Sequence, residues 1–324
     1  MAISQPAAEF LIRASRSTVR VESLVVLVLL AGTMAVLSPY FLSVSNFLNI
    51  LLATSVIGVL AIGATFVICS AGLDLSLGSV LGFSGVIAAL TVDQLGVPWP
   101  SAIPAALLAG AFCGMINGIL VTRGKIPAFI VTLGMLGIAR GAALVLTNGK
   151  PVYGLPAELL FLGQGRPFGV PTPVFIFLGV SLIAHYILAY TRFGRYTLVI
   201  GDNEAAARAT GIHVEAHRRK LYALSGMMAG LGGLLFMARV NAGDPTAGLN
   251  YELTAITAAI IGGTNLFGGR GSVLGTLIGA LIMGVLQNGL NLLAVQSYYQ
   301  QMAIGAVLIL AVWLDRMNAA RQQR

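Results

Sequence analysis

The feature that most constrains this chain is a succession of apolar runs, most of them near the length that crosses a bilayer, separated by short turns. A transmembrane helix takes about 20 apolar residues, rising ~1.5 Å each through ~30 Å of hydrocarbon. Ten runs meet or approach that length, near 23–38, 47–70, 75–92, 101–122, 127–147, 173–191, 221–240, 252–266, 272–294 and 299–314. Those at 75–92 and 252–266 are short or broken by glycine and read as half-helices or re-entrant segments. Composition agrees: 57% of the residues are hydrophobic and 9% charged, against roughly 25% charged in a soluble domain. A chain this apolar has lipid as its solvent. The expected fold class is an all-α polytopic membrane protein of about ten transmembrane segments. Arg13, Arg16 and Arg20 precede the first run, which ends in Ser38-Pro39-Tyr40-Phe41 with no small-x-small cleavage pattern. It therefore reads as a retained helix and not as a signal peptide.

Charge orients these runs. With the amino terminus in the cytoplasm and ten spans alternating, fifteen of the 19 Lys and Arg residues fall on the cytoplasmic side. Only Lys150, Arg166 and Arg239 fall outside, and Arg140 lies within a span. The asymmetry predicts cytoplasmic termini. It also gives a division into a tail at 1–22, a transmembrane domain at 23–316 and a tail at 317–324. The net charge of +8 thus reports loop orientation. No aromatic-interleaved basic patch accompanies it, which excludes a nucleic-acid partner. Cys69 and Cys113 lie inside apolar runs without metal spacing and read as small core residues. His185, His213 and His217 pair neither with each other nor with carboxylates at ligand spacing. The one approach to a phosphate loop, Gly118 to Ile126, has five residues between its glycines and Ile after Lys125. A magnesium-binding hydroxyl is required there, so neither a metal nor a nucleotide cofactor is expected in this chain.

One polar island, 192–220, interrupts the apolar pattern on the cytoplasmic side. Asn203 can cap a helix and Glu204 suits its positive first turn. Ala205, Ala206 and Ala207 propagate it, and Gly211 is placed to end it. A helix of about two turns is unstable alone in water, so something must pack on it. It is either a solvated connector or a docking helix.

The run Asn203-Glu204-Ala205-Ala206-Ala207-Arg208-Ala209-Thr210-Gly211-Ile212 resembles the coupling segment of ABC-importer permeases. The stretches Gly72-Leu73-Asp74-Leu75-Ser76-Leu77-Gly78-Ser79, Pro127 to Gly134, Lys220 to Gly226, Gly248 to Leu253, Gly262 to Gly269 and Gln287 to Leu290 extend the likeness. From about 40 to 315 the chain resembles the ribose/xylose/galactose class of monosaccharide permeases. That resemblance implies a permease homodimer in a bacterial inner membrane. It also implies a cytoplasmic ATPase with two nucleotide-binding modules, holding the ATP and magnesium, and an extracytoplasmic sugar-binding protein.

Several polar residues are candidates within this frame. Asp74 either caps the short helix after it or takes part in gating. Arg140 costs about 2.5–3.5 kcal/mol inside a span, so it bonds another helix's carbonyls or lines the path. Asn117, Asn265, Asn288 and Asn291 offer neutral amides, which suit sugar hydroxyls and interhelical bonds equally well. Arg239, Asp244 and Glu252 are placed on the outer side, as solvated charges or as contacts for a binding protein. Gly-Ser-Val-Leu-Gly occurs at 78–82 and 271–275, by duplication or by chance. An ion-coupled transporter requires intramembrane carboxylates, but the acidic residues gather at span ends. A membrane enzyme would need a clustered constellation that is absent from the sequence. A branched-chain amino acid, as a zwitterion, would favour charged partners along the path.

Overall fold

The computed structural model describes residues 21–322 and is helical along that length. The expected tails lie mostly outside the described residues. Each of the ten apolar runs becomes a helix: α1 (Val21–Leu37), α2 (Val44–Cys69), α3 (Leu77–Asp93), α4 (Ala102–Thr122), α5 (Ala128–Thr147), α7 (Thr172–Tyr190), α10 (Val214–Val240), α11 (Tyr251–Ile261), α12 (Val273–Leu292) and α13 (Ser297–Gln322). Between these lie α6 (Ala157–Gln164), α8 (Arg192–Asp202) and α9 (Glu204–Ala209). Six helices, α2, α4, α5, α7, α10 and α12, are long and apolar enough to cross a membrane. α3 and α11, and the apolar stretches 22–37 and 297–313, are shorter. Among the described residues the sole strand-like pairing is an isolated bridge between Val152 and Gly243.

The polar island departs from expectation. It is more ordered than a loop with one short helix, because Arg192–Asp202 forms a helix and α10 begins at Val214, seven residues before the apolar run. The run at 252–266 also ends earlier than read, at Ile261.

α2 and α10 form the centre. Gly110, Gly114 and Gly118 of α4 lie directly against backbone of α10 at Gly226, Tyr222 and Arg219. In lipid, where helices gain little by burying apolar area, such backbone contact supplies the packing. A buried hydroxyl pair, Thr65 and Thr276 at 2.7 Å, joins α2 to α12.

The link 241–250 turns back into this interior. Gly243 abuts Ala89, Pro245 and Ala247 approach Gly82, and Gly248 meets Gly78. Those neighbours descend α3 by eleven residues, about 16 Å along its axis. α11 therefore starts inside the bundle, and its 11 residues span about half a bilayer. Of the two readings of the 252–266 run, half-helix or re-entrant segment, this length matches the half-helix. The first Gly-Ser-Val-Leu-Gly copy supplies Gly78 and Gly82, where a side chain would strike the returning link.

Candidate functional site

Two ends of the molecule are distinguishable by contact. The links 70–76, 123–127 and 191–213 border a single cavity of about 430 Å³, and the link 262–272 joins the same end through Gly269 and Cys69. At the opposite end Val152 pairs with Gly243 and Gln164 bonds the Arg239 carbonyl.

The first end carries α9, a foot of six residues. Asn203 caps it, its Oδ1 accepting the Ala206 amide at 3.0 Å, and Gly211 ends it at φ +83, a conformation that costs glycine nothing. Ala207 is fully buried with Ile200 and Val214 in a small core. Charges complete the attachment: Arg208 reaches Glu204 at 2.8 Å and Glu215 at 2.5 Å, and Arg218 reaches Glu204 at 2.8 Å. Arg208's hydrogen bond, with Arg218 beside it, holds the Glu204 carboxyl below its ordinary range. Ala205 and Ala206 face outward, exposed. A segment too short to persist alone is thus held rigidly, with a small-residue surface free.

α8 forms the arm behind the foot. His217 of α10 bonds Thr197 at 2.8 Å and packs 4.5 Å from the Phe193 ring. The far end of the arm meets both glycine-rich links. Gly201 lies against the Cys69 carbonyl and Gly269, and the Gly269 amide donates to that carbonyl at 3.0 Å. Asn265 shapes the second link, its Oδ1 accepting the Phe267 amide at 2.9 Å. It belongs to this joint, beyond the end of α11.

Asp74 is buried beside the joint. Its Oδ1 accepts the Ser76 amide at 3.0 Å and the Ser76 hydroxyl at 2.6 Å, and its Oδ2 accepts the Ser225 hydroxyl at 2.8 Å. Ser76 is itself the N-cap of α3. The capping expected of Asp74 is therefore indirect: it braces the cap residue and ties the link to α10. Asn117 donates to Ser76 Oγ at 3.0 Å, and its own buried Oδ1 has no partner among the described residues. The two residues form one network.

Arg140 donates through Nη1 to the Pro245 and Ala247 carbonyls at 2.5 and 2.7 Å, pinning the returning link. Asn288 donates to Asn46 of α2 at 2.8 Å, while Asn291 accepts from Gln300 at 2.8 Å. Although one helix face carries both, their partners diverge. Asp244 accepts the Thr246 amide and hydroxyl at 2.8 Å. Glu252 corrects the sequence reading. It is 8% exposed and lies against Gly78, because the link before it descends into the bundle, so it does not belong to the outer surface. Cys69 and Cys113 are buried and unbonded, as core residues. The His217–Thr197 contact and the joint gave no signal in the sequence, since their members are apolar, backbone, or separated by 20 residues.

A multi-pass helical bundle with one rigid foot braced against its cross-linked glycine turns has the build of a membrane transport subunit. The chain belongs to the family described as branched-chain amino acid transport system / permease component, whose model matches residues 46–312. The ribose import permease protein of Escherichia coli (strain K12) is 47% identical over 298 residues, covering 91% of this chain and 92% of that protein. The D-allose transport system permease protein of the same strain is 38% identical, with 90% of each chain covered. The xylose transport system permease protein of Haemophilus influenzae is 34% identical, covering 93% of this chain and 98% of that one. No solved structure matches.

Proposed function

We propose that this chain is the inner-membrane permease subunit of an ABC importer for a monosaccharide. The observation that carries the reading is 47% identity to a ribose import permease across nine-tenths of both chains. The family description names amino acids, but the similar relatives cited above are named for sugars. The foot end faces the cytoplasm, because the positive-inside rule assigns that side Arg123, Lys125, Arg192, Arg195 and Arg208. A second copy of the chain completes the channel. An ATPase with two nucleotide-binding modules supplies ATP and magnesium chemistry from below.

Asn203 and Gly211 fix the two ends of the foot, Glu204 moors it, and Ala205 and Ala206 present the surface that seats in the ATPase. Movement of the foot reaches both glycine links through Gly201, so nucleotide-driven motion becomes a rearrangement of α3, α11 and α12. Arg140 and the Asp74–Asn117 network stand where such a rearrangement opens or closes the interior to a neutral, hydroxyl-rich solute. Asn265, Asn288 and Asn291 serve the path through the helix contacts they hold. On the opposite face Arg239 and Asp244 orient the sugar-binding protein, since charge pairs set orientation and on-rate.

Reconstitution tests this reading. Proteoliposomes holding the chain, its ATPase and its loaded binding protein should accumulate a pentose or hexose only with ATP. Accumulation by the chain alone on an ion gradient would overturn it.

A further inference from the structure

The exposed apolar stripe of α7 runs through Phe175, Leu178 and Leu182 to two tyrosines at its last turn. Tyr186 and Tyr190 are 63% and 66% exposed, and their rings stack at 5.8 Å. His185 sets its edge against Tyr190 at 5.9 Å. Tyrosines in such a place mark the depth where a helix leaves hydrocarbon for headgroups. The chain then turns at Thr191 and α8 begins. Gly194, Thr197 and Ile200 are its buried edge, while Arg192, Arg195 and Tyr196 are exposed. Those three positions share one face by helical spacing. Arg195 folds back over the end of α7, its Nη1 donating to the Tyr190 carbonyl at 3.4 Å.

The charge on this edge differs from its neighbours among the described residues. Arg208 and Arg218, at the other end of the same region, are both paired with glutamates. No carboxylate among the described residues pairs with Arg192 or Arg195. Two guanidinium groups at headgroup depth, beside an aromatic floor, fit a phosphate: arginine offers it paired donors, and the cytoplasmic leaflet supplies it as anionic lipid.

We propose that the Arg192–Arg195 edge of α8 holds the phosphate of an acidic phospholipid of the cytoplasmic leaflet, with Tyr186 and Tyr190 lying along its glycerol and upper acyl region. The inference rests on the cytoplasmic orientation of the foot end and is independent of the cargo. Its consequence is mechanical. α8 is the arm that carries the foot, held on its inner edge by His217. A lipid on the outer edge gives that arm a second support in the membrane plane.

The test is lipid retention by the full-length chain in nanodiscs of phosphatidylcholine with either phosphatidylglycerol or phosphatidylethanolamine, read by native mass spectrometry. The wild type should retain phosphatidylglycerol in preference by roughly thirtyfold, the order expected of two basic residues at an anionic surface. The double variant Arg192→Gln/Arg195→Gln should lose that preference while eluting and melting as the wild type does. Equal preference in wild type and variant would overturn the proposal, as would displacement of the lipid by millimolar inorganic phosphate, which would make this a free-anion site. If the double variant fails to insert, Arg192→Gln alone carries the test, because that side chain is exposed and its removal should still lower the preference. Labelling of an Arg192→Cys variant only from the outside by an impermeant reagent would overturn the orientation, and with it this proposal; loss of sugar uptake with retention intact would leave the proposal standing.

Discussion

At Asp74 a carboxylate is surrounded by hydroxyls and an amide where a cation would ordinarily stand, three donors converging on it within 3.0 Å. Asp74→Ala leaves those donors unpaired in the interior, and each orphaned group costs about 1–3 kcal/mol. The thermal midpoint of the solubilised protein should fall by several degrees, whereas Asp74→Asn, which keeps a carbonyl for Ser76, should fall less. Equal midpoints for wild type and alanine variant would show that the network holds nothing. Glu204 gives a pH prediction. Its carboxyl is depressed by Arg208 and Arg218, so its contribution to foot attachment is present above the ordinary carboxylate pKa and is lost as pH falls through the lower, folded value. A carbon-13 titration of Glu204 should show a midpoint below the unperturbed ~4.3, and Arg208→Gln should move it upward. A wild-type midpoint at or above the ordinary value would contradict the pairing.

Elements show why the joint matters and why parts of it were illegible. Each apolar run is a local property, so the ten of them could be read directly, and the short or glycine-broken runs at 75–92 and 252–266 were legible as half-helices or re-entrant segments. α8 could not be read that way. Its arginines and its one threonine resemble a solvated loop until Thr197 finds His217, twenty residues on, and Gly201 finds the Cys69 carbonyl. Contacts between segments distant in sequence leave no periodic trace in either one. Glycine at 201 is required by close approach, because a methyl group there would overlap that carbonyl. Overpacking of this kind costs about 1–3 kcal/mol. Gly201→Ala should therefore melt earlier and transport less sugar than Gly179→Ala, a helical change on α7 with nothing within 4 Å. If the two variants behave alike in uptake assays, the arm does not bear on the glycine links.

At the scale of the whole molecule, the foot was the part of the site most legible in sequence, because a cap, an alanine run and a terminal glycine act through neighbouring residues. What the sequence could not disclose is that Glu204 sits between two arginines from different elements, Arg208 at 2.8 Å and Arg218 at 2.8 Å. The same limit applied to Glu252, whose place in the interior depends on the path of the link before it. Glu204→Arg turns the centre of the foot's attachment into three like charges. Exposed pairs of this kind are worth at most about 1 kcal/mol each, too little to unfold a bundle whose stability lies in helix packing. They are enough to free six residues that have one buried side chain and no intrinsic helical stability. Membrane insertion and the thermal midpoint should accordingly stay near wild type, since the apolar runs are untouched. The sugar moved per ATP hydrolysed should fall, because an unmoored foot follows the ATPase without carrying α8 along. Measuring both fluxes in the same proteoliposomes separates this outcome from simple loss of assembly, which would lower hydrolysis and uptake together. A variant with an unchanged ratio of sugar to ATP would mean that force enters the membrane through some other contact.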